Sequence, residues 1–135
     1  MNICWILLSI LCIFAEFTKT NWACDPGWTL LKANMCFKEM EKFLNYSQAV
    51  QFCAAHEANL PRFLPNEVIT LHFKQLYYNG LTKSVWKETS EREVKLNVCQ
   101  VVFFKYGFEM DIWITHCGRS FTFVCSKRGI ECIKI

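Results

Sequence analysis

The chain has 135 residues, 53% of them hydrophobic and 16% aromatic, which is enough apolar material to bury the core of one domain and excludes a disordered chain. Its net charge is +3 and its longest basic stretch is only Ser126-Lys127-Arg128, so composition also excludes a nucleic-acid-binding footprint.

Residues 3–15 carry no charge and are too short to span a bilayer, which takes about 20 apolar residues. They match the apolar region of a secretory signal, and residues 1–23 are read as a signal peptide cut after Ala15, Thr20 or Ala23. No Lys or Arg precedes the apolar run and no A-x-A site follows it, which keeps a retained signal anchor as the competing reading. A domain over 24–128 and a tail over 129–135 complete the division, and the location expected is extracellular.

Two of the nine cysteines, Cys4 and Cys12, fall in the leader. Seven remain: Cys24, Cys36, Cys53, Cys99, Cys117, Cys125 and Cys132. In an oxidising compartment six form a disulfide framework whose connectivity spacing alone leaves open, and one is left over. A zinc site is not expected, because no C-x-x-C pair occurs and His56, His72 and His116 stand singly.

In chain order, residues 28–31 and 35–38 read as a short hairpin turning at Lys32-Ala33-Asn34. Ala49, Phe52, Cys53 and His56 then fall on one helical face behind an N-cap at Asn45 or Ser47, which turns Cys53 inward. A second helix is expected from Asn66, its cap, burying Val68 or Ile69, Leu71 and Leu76 before Asn79-Gly80 stops it. Residues 98–104, 112–116 and 121–125 read as strands, the last with Phe121, Phe123 and Cys125 on one face. The sum is an α+β fold of two helices with small antiparallel sheets.

This order of signals resembles the long form of the C-type-lectin-like domain over Cys24 to about Lys127. Cys24, Gly27, Trp28 and Cys36 are similar to its opening; Asn45, Tyr46, Ala49 and Cys53 to its first helix; and Glu57-Ala58-Asn59-Leu60 to its Gly-Ala-x-Leu link. Tyr78-Asn79-Gly80-Leu81 resembles its Trp-Ile-Gly-Leu core strand, and Trp113, Cys117 and Cys125 resemble its ending. The resemblance implies a disulfide-stapled C-type-lectin-like fold with pairs Cys24–Cys36, Cys53–Cys125 and Cys99–Cys117. Cys132 has no counterpart and is read as unpaired, linking two copies of the chain in a disulfide homodimer.

The departures bear on function. Sugar-binding members hold calcium through a Trp-Asn-Asp triplet and a long loop, and calcium takes six to eight oxygen ligands. Here the triplet reads Trp113-Ile114-Thr115, and only twelve residues separate Trp86 from Cys99. Glu88, Glu91 and Glu93 interleave with Lys87, Arg92 and Lys95, the pattern of a solvated loop rather than a cation site. No cofactor is therefore expected.

The expected ligand is a protein or glycan, bound by Trp86, Lys87, Arg92, Lys95, Tyr106 and Phe108 without calcium, with core packing beneath the loop as the competing reading for Trp86; by family resemblance this implies defence or cell-surface recognition. The alternatives are a small disulfide-rich effector (toxin, inhibitor or membrane-active protein) and a calcium-dependent lectin. Catalysis is not expected, since the adjacent His116 and Cys117 point to opposite faces of a strand. Asn45-Tyr46-Ser47 is a glycosylation sequon, and occupancy is expected to compete with Asn45 as a helix cap.

Overall fold

The computed structural model of the chain describes residues 10, 12, 22–31 and 34–132. The leader, apart from Ile10, Cys12, Trp22 and Ala23, and the expected turn at Lys32-Ala33 lie outside the described residues. Two compact units divide the chain: residues 1–38 with 127–135, and residues 39–126.

In the first unit, β1 (Trp22–Ala23) pairs antiparallel with β8 (Ile130–Glu131), and β2 (Thr29–Leu31) forms a hairpin with the start of β3 (Met35–Leu44). Cys36 is buried and bridged to Cys24, with Cα atoms 5.8 Å apart. The Lys127 ammonium forms an ion pair with Asp25 and lies 4.4 Å from the centroid of the Trp28 ring. Gly129 passes so close to the hairpin that a side chain on it would meet the carbonyl oxygens of Ala23 and Asn34 at 3.2 Å.

Cys132 departs from expectation. It is bridged to Cys12, with Cα atoms 5.2 Å apart, and so is not the unpaired thiol that a cut leader would leave. Trp22 pairs with Glu131, the residue before Cys132, so the strand that follows Cys12 in the chain runs beside the strand that carries the chain into Cys132.

The second unit contains α1 (Tyr46–Ala55), α2 (Val68–Leu76), β4 (Lys83–Trp86), α3 (Glu91–Lys95), β5 (Cys99–Lys105), β6 (Glu109–Thr115) and most of β7 (Phe121–Arg128). Its strand order is β3-β7-β4-β5-β6, with β6 at the edge. Both faces of β7 are covered: Thr122, Phe123, Val124 and Cys125 are all buried, where sequence alternation marked only one face.

Helix α1 begins with a capping box in which the Asn45 side chain accepts from the Gln48 N–H while the Gln48 side chain accepts from the Asn45 N–H. Ala49 and Cys53 point into the core and Cys53 is bridged to Cys125, whereas His56, expected on the same stripe, is the exposed C-cap. Helix α2 is capped at Glu67 without a side-chain hydrogen bond, so Asn66 does not serve as its cap. It buries Ile69, Thr70 and Phe73, leaving Leu71 and Leu76 exposed. Nine residues make only two and a half turns, and the buried stripe follows Phe73 rather than the leucines.

The centre of the core is aromatic. Phe63, Phe73 and Phe104 are fully buried, and their ring centroids lie 5.5 to 5.9 Å apart. Phe63 reaches this cluster from a left-handed backbone conformation (φ 51°), at a cost of about 1–2 kcal/mol. Burying its ring offsets that by about 1.5–3 kcal/mol.

Candidate functional site

The twelve residues between Trp86 and Cys99 form a brace rather than an open loop. The Tyr46 hydroxyl, buried, accepts from the Thr89 N–H (2.9 Å) and donates to the Thr89 carbonyl (3.2 Å). The Glu88 N–H donates to the Pro61 carbonyl (2.9 Å), and the Lys87 N–H to that of Gln100 (3.0 Å). Ser90 caps α3, the short helix that sequence reading took for irregular loop, by accepting from the Glu93 N–H. The bridge Cys99–Cys117 then ties the base of the β5–β6 hairpin.

Of the six side chains proposed to contact a ligand, the structure removes one from the surface. Trp86 is completely buried, donates its indole N–H to the Leu44 carbonyl (2.8 Å), and packs edge-on against Tyr46 and Phe121. It is a core residue because β4 lies between β7 and β5. Lys87 is half-buried, while Arg92 and Lys95 are exposed on α3.

Tyr106 and Phe108 are exposed at the hairpin tip. The strand between α3 and the tip, Cys99–Lys105, rises about 20 Å. The five surface residues therefore divide between opposite ends of β5 and form no single site.

The tip is the better-built surface. Tyr106, 70% exposed, stacks on Tyr78, 48% exposed, with ring centroids 6.5 Å apart and planes 23° from parallel. The Gly107 N–H donates to the Tyr78 carbonyl (3.4 Å), and left-handed Gly107 and Phe108 make the turn. The Lys74 ammonium lies 5.7 Å from the Phe108 ring centroid, and Leu81 is exposed nearby in sequence.

Sequence reading missed Tyr78, Leu81 and Lys74. Residues 78–81 resembled a core strand of the family, but the strand begins at Lys83; they follow the end of the helix at Leu76 as an exposed turn, as the reading of Asn79-Gly80 as a helix stop expects.

At the opposite end of the unit, a groove of about 580 Å³ runs between α1 and the brace. Val50, Ala54, Leu60 and Val94 line it, and Glu88, Glu91 and Lys95 add mixed charge.

The residues present do not fit calcium. Ile114 offers no oxygen from its side chain, and both Glu93 carboxylate oxygens are occupied, one by the Ser90 hydroxyl (3.0 Å) and the other by the Gln100 amide (2.9 Å). Among the described residues, no three His, Cys, Asp or Glu side chains converge on a point that could hold a metal ion.

No family model matches the chain, and no curated protein matches it. Solved structures do. Rhodocetin superposes with a TM-score of 0.62 at 17% identity, covering 79% of this chain and 98% of that one. The mouse CD72a C-type-lectin-like domain gives 0.59 at 15%, covering 82% and 97%.

The fold is that of a C-type-lectin-like domain. A calcium-independent type II antifreeze protein shares this C-type-lectin-like fold with a TM-score of 0.57 at 18% identity, covering 81% of this chain and 97% of that one. The chain thus has an α+β fold stapled by four bridges among the described residues, three of them Cys24–Cys36, Cys53–Cys125 and Cys99–Cys117.

Proposed function

We propose that the chain is an extracellular, non-catalytic recognition module that binds a protein or glycan through its aromatic hairpin tip without calcium. The observation that carries this reading is the stacked, exposed pair Tyr78 and Tyr106. Tyrosine supplies a large contact face at small entropic cost, and its flat ring suits either a sugar face or an apolar side chain. The unsuitable donor set at Glu93 and Ile114 supports calcium independence, as does the fold shared with an antifreeze protein described as calcium-independent. Four disulfides fit an oxidising, extracellular setting. The bridge between Cys117 and Cys99 occupies the one thiol beside a histidine, which favours binding over catalysis.

The test is a printed glycan array and a panel of cell surfaces probed with labelled chain, in calcium and in chelator. The expected result is a signal that survives chelator and falls at least about tenfold in a Tyr78→Ala/Tyr106→Ala variant, the loss of a two-ring contact. A signal abolished by chelator would instead identify a calcium-dependent lectin, and one untouched by the double substitution would remove the tip from the site.

A further inference from the structure

Strand β6 carries a second surface that the tip does not use. It is the last strand of its sheet, and among the described residues nothing pairs with its outer side. Three consecutive large apolar residues stand exposed on it: Ile112 (49%), Trp113 (53%) and Ile114 (71%). Adjacent residues of a strand point to opposite faces, so Met110, Ile112 and Ile114 make one face of this edge apolar, while Trp113 stands on the other beside Glu109, Asp111 and Thr115.

Exposed edges are ordinarily blunted with Lys, Pro or a bulge, but residues 110–115 contain neither Lys nor Pro and pair one-to-one with β5 along their whole length. Trp113 is held ready by stacking on Phe103, with centroids 5.0 Å apart.

We infer that β6 pairs antiparallel with β6 of a second copy of this chain, about a twofold axis at Ile112. Charge selects the partner and the direction. Antiparallel pairing centred on Ile112 sets Glu109 opposite Thr115, Met110 opposite Ile114 and Asp111 opposite Trp113, so no like charges meet. Parallel pairing in register would set Glu109 against Glu109 and Asp111 against Asp111.

Centring on Ile112 uses all seven residues of β6, whereas centring on Trp113 runs the ladder past Thr115, beyond the end of the strand. The seam is self-complementary, as a twofold interface requires, with its aromatic anchor near the middle. Ten residues separate one Gly107 from the other along the seam, which places the two tips about 34 Å apart. A pair of weak sites so spaced binds a repeated ligand with avidity.

The register makes a charge test decisive. Sedimentation of the purified chain is compared with Trp113→Asp and Trp113→Lys, with near-UV dichroism to verify folding and non-reducing electrophoresis to exclude disulfide-linked copies. Both variants lose the ring, but Asp faces the partner's Asp111 whereas Lys complements it. Trp113→Asp is expected to weaken the dimer at least about tenfold relative to Trp113→Lys, because the contact occurs twice across the axis. Ile114→Asp, at a more exposed position, weakens it too and serves if Trp113→Asp fails to fold. A wild-type chain that sediments as a monomer throughout, or equal losses in the two Trp113 variants, overturns the pairing. Neither result touches the tip, whose binding is read separately with Tyr78 and Tyr106.

Discussion

Replacing Tyr46 with Phe removes one oxygen and tests whether the brace holds the shortened loop. The ring stays, with its edge contact to Trp86 at 5.6 Å between centroids, so packing is conserved. Two hydrogen bonds to the buried Thr89 backbone are lost, each worth about 1 kcal/mol net. Leaving the Thr89 N–H without its partner adds a desolvation cost of about 1–3 kcal/mol, and the sum is about 3–5 kcal/mol. Against a total stability of about 5–15 kcal/mol this is a large fraction, read in urea as a lower midpoint at unchanged slope. Native-state hydrogen exchange locates the effect: amides of residues 87–98 exchange faster, while those of β7 follow only the global change. A stability loss under about 0.5 kcal/mol, with exchange in residues 87–98 unaltered, would refute the view that this hydroxyl holds the loop.

Other predictions follow from single groups. The Tyr77 hydroxyl donates to the Glu39 carboxylate (2.8 Å), and burial first, then that bond and the charges of Glu39 and Glu41, hold the phenol well above its ordinary value. The folded pKa is raised, so this stability is full below the unfolded phenol pKa of about 10 and declines as pH climbs beyond it; Tyr77→Phe should flatten that decline in alkaline denaturant titrations, and an unchanged slope would contradict the linkage. Asn45 caps α1 through its oxygen, which leaves the amide nitrogen, the atom that carries an N-glycan, outside the capping bond; the expected competition between cap and glycan is thus removed. Expression in a secretory eukaryotic host should yield one enzymatically removable glycan, absent in Ser47→Ala, whose cap is intact, and a mass unaffected by deglycosylation would exclude occupancy. Peptide mapping under non-reducing conditions should recover Cys12 joined to Cys132 in the full chain, and a chain beginning at Cys24 should expose one alkylatable thiol at Cys132; protection of that thiol would require another partner.

The features legible in the sequence were those governed by short-range period and by covalent arithmetic. Helix α1 carries both a cap signal and a stripe that brings Cys53 inward, and the last strands are rich in β-branched and aromatic residues. What escaped depends on neighbours distant in the chain. For Trp86 the sequence offers both core packing and ligand contact, and the enclosure by β7 and β5 decides for the core. Tyr78 and Tyr106 lie 28 positions apart and meet only because the β5–β6 hairpin folds back beside the end of α2, which no local pattern encodes. Helix α3 is five residues long and mostly charged, too short to show a period, and it forms because Ser90 caps it and Glu93 reaches Gln100. The apolar run at Ile112-Trp113-Ile114 reads as an alternating strand, but at the sheet edge all three residues reach solvent.

Calcium titration by calorimetry addresses the account at its root, because the reading of the surface assumes that no ion organises it. With the braced loop occupying both oxygens of Glu93 and an isoleucine at position 114, the purified chain should give no saturable heat, and its thermal midpoint should be the same in calcium and in chelator. Stoichiometric calcium uptake accompanied by a rise in that midpoint would contradict it.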